Sequence, residues 1–289
     1  MASTSDAPAM RPDIGGGMAG FDFGRGQRTL VFLHANGFNA GTYLPMLAPL
    51  AKSARVVVPD LRGHGQTALA AEPRGRRNWS DMRDDVLRLL ADLNAGPATV
   101  AGHSMGGTVA LLAAARAPER VRNLVLLDPV ILPRPAAAAM RLPLVGLAAR
   151  RHPWVAATLK RRRRFAGEAE AIRAYQGRGA FRDWPAETLE AYVRHGFQPT
   201  ADGGVELRAD PAWESSGYGA QANDTWGALK RVGRPIAIWK GEHGSTCAVA
   251  EQHVRRRKDL TVRTVSGGTH FFPMVMPDTA RAALAEALG

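Results

Sequence analysis

Short apolar runs recur along the chain, rich in β-branched side chains, and the first four stop at a polar or glycine-containing loop. Residues 29–33 stop at His34-Ala35-Asn36-Gly37, residues 55–59 at Asp60, residues 98–101 at Gly102, and residues 124–127 at Asp128. Residues 235–239 and 260–265 are two more. Runs that do not alternate with polar positions predict strands buried on both faces, as in a parallel sheet. Helical periodicity falls between them. Met82, Val86, Leu89, Leu90 and Leu93 share one face of a helix that Ser80 is placed to cap. An Ala/Leu-rich stretch at 105–117 ends before Pro118, and Pro277 and Asp278 open a last helix reaching Leu288. Strand and helix alternate, so the fold class is α/β, with a mostly parallel sheet flanked by helices.

The rhythm breaks between 132 and 232, an Arg/Ala-rich block with scattered Trp and Pro that reads as helical. It is expected to be a cap inserted into a core made of 21–131 and 233–289, with residues 1–20 a disordered leader. Its aromatic residues, Trp154, Phe165, Tyr175, Phe181, Trp184, Tyr192, Trp213 and Tyr218, would pack against the core and line an apolar pocket.

Length and composition fit this picture: 289 residues, 45% hydrophobic and 22% charged, describe a globular chain with a sizeable core. The single cysteine, Cys247, rules out an internal disulfide and suits a reducing compartment, with the cytoplasm as default. No apolar stretch is long enough to span a membrane. The net charge of +12 comes almost wholly from dispersed arginines and has no nucleic-acid module beside it, so nucleic acid is set aside as a partner. The one dense run, Lys160-Arg161-Arg162-Arg163-Arg164, reads as a solvated helix face, or else as a weak attractor for acidic substrates or anionic lipid.

The strongest chemical signal is Gly102-His103-Ser104-Met105-Gly106, with an apolar strand before it and a helix after it. Glycines flank the serine because the chain turns too sharply there for side chains. The turn presents Ser104 at a strand's carboxyl end, where helix N–H groups favour negative charge. With this motif the chain resembles the α/β-hydrolase family, of the capped, serine-nucleophile type, from about Thr29 onward. His34-Ala35-Asn36-Gly37-Phe38 resembles the family's His-Gly loop, Asp60-Leu61-Arg62-Gly63-His64-Gly65 its D-x-R-G-H-G loop, and Gly267-Gly268-Thr269-His270-Phe271-Phe272-Pro273-Met274 the loop that bears its catalytic histidine.

The resemblance implies an acyl hydrolase acting through an acyl-enzyme on an ester, thioester, lactone or amide, without metal or organic cofactor. Ser104 would be nucleophile and His270 base, while His64 and His103 are structural, and His152, His195, His243 and His253 belong to the surface. The oxyanion donors would be the backbone N–H groups of Met105 and Asn36, with Phe38 as alternative and the Asn36 amide free for substrate. The acid departs from the family pattern, since Ser245 stands where an Asp is usual. Asp128 is preferred, because it ends a strand on the same sheet edge, and Glu242 is the alternative. An acyltransferase or cofactor-free perhydrolase with the same triad, and a non-catalytic ligand-binding protein, are the other readings. Oligomeric state is not legible.

Overall fold

A computed structural model describes residues 8–142, 145, 153–253, 255 and 257–289. Residues 1–7, His152 and the Trp154 side chain lie outside the described residues. One eight-stranded sheet organises the molecule. Its strands are β1 (Met10–Arg11), β2 (Gly20–Phe23), β3 (Arg28–Leu33), β4 (Ala54–Pro59), β5 (Ala98–His103), β6 (Val121–Leu127), β10 (Ile236–His243) and β11 (Leu260–Thr269), in spatial order β1-β2-β4-β3-β5-β6-β10-β11. From β4 to β11 every neighbouring pair is parallel. The two strands at the other edge are antiparallel.

The apolar runs form these strands because both sheet faces are covered. Every residue of β5 is buried, as are Leu30 to Leu33 of β3 and Leu124 to Leu127 of β6. Helices Ser80–Asp92 and Met105–Arg116 cover one face, and Pro277–Leu288 packs on the other. Ser80 is the first helical residue rather than the cap; the Asn78 side chain takes its N–H at 3.1 Å.

Two expectations are corrected. Residues 8–20, read as part of a disordered leader, include β1 and bury Ile14, Met18 and Ala19 against the core. They bond to the sheet through Asp60 N–H, which donates to Ala19 O at 2.8 Å. Among the described residues, the segment 132–232 adds no strand to the main sheet, but it is not wholly helical. Strands β7 (Arg164–Phe165), β8 (Phe197–Pro199) and β9 (Val205–Leu207) form a separate antiparallel sheet. Strands of two and three residues carry too little periodicity to be read from sequence.

The basic run is corrected too. The helix before it ends at Leu159, and Arg162, Arg163 and Arg164 are splayed outward, paired with Glu170, Glu206 and Asp210. Arg161 alone turns inward. It is mostly buried and pairs with Glu214 at 2.7 Å.

Candidate active site

Parallel strands deliver their carboxyl ends to one edge, and the site is assembled there. Ser104 follows β5 directly, with φ 54° and ψ −121°, a conformation L residues rarely adopt. Two flanking glycines permit it. A methyl group on Gly106 would lie 2.2 Å from Leu33 O, and one on Gly102 would lie 2.5 Å from Gly106 C. Ser104 is 8% exposed, and its N–H is fixed to Leu127 O at 3.0 Å.

Asp128, directly after β6, also has a positive φ of 43°. Such strain costs on the order of 1–3 kcal/mol and persists only where the surroundings impose it. Here Asp128 N–H bonds to Trp239 O at 2.7 Å. Its carboxylate accepts Gly241 N–H at 2.7 Å, Thr246 N–H at 2.8 Å and the Thr246 hydroxyl at 3.1 Å. His270 comes from the loop after β11. Its Nδ1 lies 2.9 Å from Asp128 Oδ1, and its Nε2 lies 3.0 Å from Ser104 Oγ. The structure therefore brings Ser104, His270 and Asp128 into one hydrogen-bonded line.

Burial works to raise the Asp128 pKa, but the bonds from His270 and the Gly241 and Thr246 N–H groups outweigh it and hold the group below its ordinary value. It faces His270 as a carboxylate, which places the imidazole proton on Nδ1 and leaves Nε2 to accept from the Ser104 hydroxyl.

Glu242 is not part of this line. It is 45% exposed at the side chain and accepts Gly267 N–H at 2.7 Å, pinning the start of the His270 loop. Thr246 was not singled out from sequence. It follows Ser245, so the loop where the family usually carries its acid supplies donors to the acid on the neighbouring strand.

Met105 opens the Met105–Arg116 helix, where first-turn N–H groups lack intrahelical acceptors. In the facing loop Phe38 N–H bonds back to Ala35 O at 3.2 Å, and Gly37 N–H donates to His64 Nε2 at 3.1 Å. Among the described residues the Asn36 N–H has no such acceptor. The Asn36 amide is engaged, donating to Glu214 O at 2.9 Å, which corrects the expectation of a free amide.

His34 and His64 clamp this loop to the next. Leu61 N–H donates to His34 Nε2 at 2.8 Å, while His34 Nδ1–H donates to Ala35 O and His64 Nδ1–H to Arg62 O. Of the remaining histidines, His243 and His253 are exposed and His195 is half-buried against Phe21.

Burial drives the His34 pKa down to about 4 and that of His103 to about 3, and lowers His64 well below its usual value. The folded state therefore binds fewer protons here than the unfolded chain, so stability is lost as pH falls from 6.5 toward these values. Burial acts oppositely on Asp60, raising it from 3.8 to about 6, so that single group adds stability as pH falls from about 6 toward 3.8 and offsets part of the loss. At 1.36 kcal/mol per pKa unit, His34 and His103 each contribute on the order of a few kcal/mol. The balance predicts a melting temperature that drops by roughly 10 °C between pH 7 and pH 4.5. A flat or rising profile in a thermal-melt series would contradict it.

A mostly parallel sheet, a serine on a strained strand-to-helix turn and a histidine from the last loop define the α/β-hydrolase class of protein. The family model described as Alpha/beta hydrolase family matches residues 30–287, and the chain belongs to that family. It is 28% identical over 251 residues to the 2-(acetamidomethylene)succinate hydrolase of Mesorhizobium japonicum, covering 86% of this chain and 84% of the relative. It is 26% identical over 247 residues to the magnesium-chelatase 30 kDa subunit of Rhodobacter capsulatus, covering 83% and 79%. In structure it resembles crystalline E-2-(acetamidomethylene)succinate hydrolase, with a TM-score of 0.76 at 24% identity over 98% of this chain and 99% of that one.

Proposed function

We propose that this chain is a serine hydrolase of acyl bonds, and the observation that carries the reading is the Asp128–His270–Ser104 line with spacings of 2.9 and 3.0 Å. His270 Nε2 takes the Ser104 proton as Oγ attacks the substrate carbonyl carbon. The resulting oxyanion is held by the Met105 and Asn36 N–H groups. His270 then hands its proton to the leaving group, and water repeats the sequence on the acyl-enzyme. Asp128 keeps the ring in the correct tautomer and stabilises the transient imidazolium. The 132–232 segment serves as the cap, with Phe181, Trp184 and Tyr192 packed around Phe38. Among the described residues no helix is long and apolar enough to cross a membrane.

Panels of p-nitrophenyl esters, acyl thioesters and anilides test the reading, with hydroxylamine as competing nucleophile. A hydrolase releases free acid and yields hydroxamate only in proportion to added hydroxylamine. Hydroxamate formed in preference to free acid would point to an acyltransferase, and no turnover of any acyl bond would reject the proposal.

Arg161 supports a further proposal about the substrate class. The Mesorhizobium relative is named for a substituted succinate, a dicarboxylate. Here the buried Arg161–Glu214 pair lies against the loop that bears Asn36: a methyl on Gly37 would meet Glu214 Oε1 at 2.3 Å, and Tyr218 hydrogen-bonds Asn36. Arg161 also donates to the hydroxyls of Tyr192 and Tyr175. We therefore extend the proposal to acyl groups carrying a carboxylate. Arg161→Gln is expected to cut kcat/KM for a hemisuccinate ester at least tenfold more than for the matching butyrate ester. Equal losses on both would leave Arg161 a purely structural pair.

A further inference from the structure

We infer that His103, backed by Tyr43, is the positioning residue that holds the backbone of the general base and locks it to the nucleophile turn and to the 34–37 loop. The inference rests on the serine-hydrolase reading above.

Asp128 fixes the Nδ1 end of the His270 ring, but the ring follows a strand whose last residues include Gly267, at φ +68°, and Gly268. A chain segment of that kind has many accessible conformations. The Ser104–His270 contact needs the main chain at His270 held as well. Glu242 and the pairing of Thr269 with His243 hold the approach to it, and at the base's own carbonyl the holder is His103, whose Nε2 lies 2.8 Å from His270 O. A carbonyl oxygen only accepts, so Nε2 carries the proton. The ring is buried and neutral, its pKa lowered to about 3 by burial and by the neighbouring His270, so Nδ1 is bare. Tyr43 O–H donates to that bare nitrogen at 2.8 Å, and the same Tyr43 oxygen accepts Ala35 N–H at 3.2 Å.

The bonds run in one direction: Ala35 N–H to Tyr43 O, Tyr43 O–H to His103 Nδ1, His103 Nε2–H to His270 O. Donors aligned in series polarise one another, and inside an apolar core each is costly to break. Any buried histidine needs partners, so satisfaction alone does not distinguish this one. What does is where the partners sit. Ala35 adjoins Asn36, His103 adjoins Ser104, and the last acceptor is the base's own carbonyl. The His103 ring also lies beside the His270 ring at a tilt of 41°, with centroids 5.0 Å apart, and meets Phe271 at 6.4 Å. Any shift of the nucleophile turn is thus passed to the base, and the 3.0 Å spacing between Oγ and Nε2 is kept. Misplacement by about 1 Å can cost about 100-fold in rate.

The test uses the full chain with p-nitrophenyl butyrate and a fluorophosphonate probe. His103→Phe is expected to lower kcat and the phosphonylation rate by about 100-fold, with KM changed less than about threefold. His103→Gln, whose amide N–H reaches toward the same carbonyl, is expected to recover at least about tenfold of that loss, and Tyr43→Phe to lose about tenfold. Retention of full rate by His103→Phe or by Tyr43→Phe overturns the inference. So do equal losses in His103→Phe and His103→Gln with matching drops in melting temperature, the signature of packing alone. If His103→Phe does not fold, Tyr43→Phe and His103→Gln decide in the same way. A separate arm needs no substrate: nitrogen-15 NMR of labelled histidines should show His103 neutral and protonated on Nε2 down to pH 5. A ring that titrates near its ordinary value, or carries its proton on Nδ1, overturns the inference. If the wild type ignores both esters and probe, the hydrolase reading falls while this arm still judges the network.

Discussion

Ser104→Ala is expected to remove about 10⁶-fold of kcat on any acyl substrate the protein turns over, while leaving folding intact. The expectation is that large because, among the described residues, the Ser104 hydroxyl alone bonds to His270 Nε2, at 3.0 Å. Alanine keeps the backbone bond from position 104 to Leu127 O and loses only the hydroxyl, so the strained turn should survive. A side chain 8% exposed contributes little to the surface, and the melting temperature should move by no more than a few degrees. Steady-state kinetics on purified wild type and variant, with circular dichroism as the folding control, check both halves. Full activity in the variant would mean that another group performs the attack.

The second large effect separates the two candidate acids. Asp128→Asn is expected to lower kcat by about 10⁴-fold, because an amide in that place favours the wrong His270 tautomer and offers no charge to the imidazolium. It also sets an NH₂ group against either Gly241 N–H, at the Oδ2 position, or the Thr246 N–H and hydroxyl, at the Oδ1 position, so a stability loss of about 1–3 kcal/mol should accompany it. Glu242→Gln keeps an acceptor for Gly267 N–H and should stay within about threefold of wild type. The pair of measurements is decisive because one carboxylate directly follows β6 and the other lies on the adjacent strand β10, with only Asp128 turned to His270. Comparable losses in both variants would undo the assignment of Asp128.

Much of the fold could be read from the chain before any coordinates. Strands β3 to β6 are buried on both faces along most of their length, and that geometry leaves an apolar run in the sequence, whereas β10 is only half-buried and the edge strand β11 is exposed at most positions, so the expectation of burial on both faces is corrected there. β1 and β2 leave no such mark. They are short, lie at a sheet edge and are surrounded by glycines, so residues 8–20 look featureless although Met18 and Ala19 are wholly buried.

The strained serine was legible because its glycines are sterically required. The imidazole at 270 followed from its loop, but no sequence pattern encodes its 3.0 Å approach to Ser104. Arg161 illustrates the opposite limit. Five consecutive cations read as solvated, and nothing local shows that one turns inward, because its partner Glu214 lies 53 positions away. Tyr43 and Thr246 were invisible for a related reason. Their importance comes from hydrogen bonds to His103 and Asp128 across the fold, and isolated hydroxyls carry no periodicity.

The claim on which the account turns is that the Ser104 oxygen is activated by His270. Peptide mapping after brief exposure of the native protein to a fluorophosphonate measures it most directly. A single adduct on Ser104, formed quickly by wild type, slowly by Asp128→Asn and not by acid-unfolded protein, is the predicted result. An unmodified Ser104 in folded protein, or an adduct only on some other residue, would contradict it.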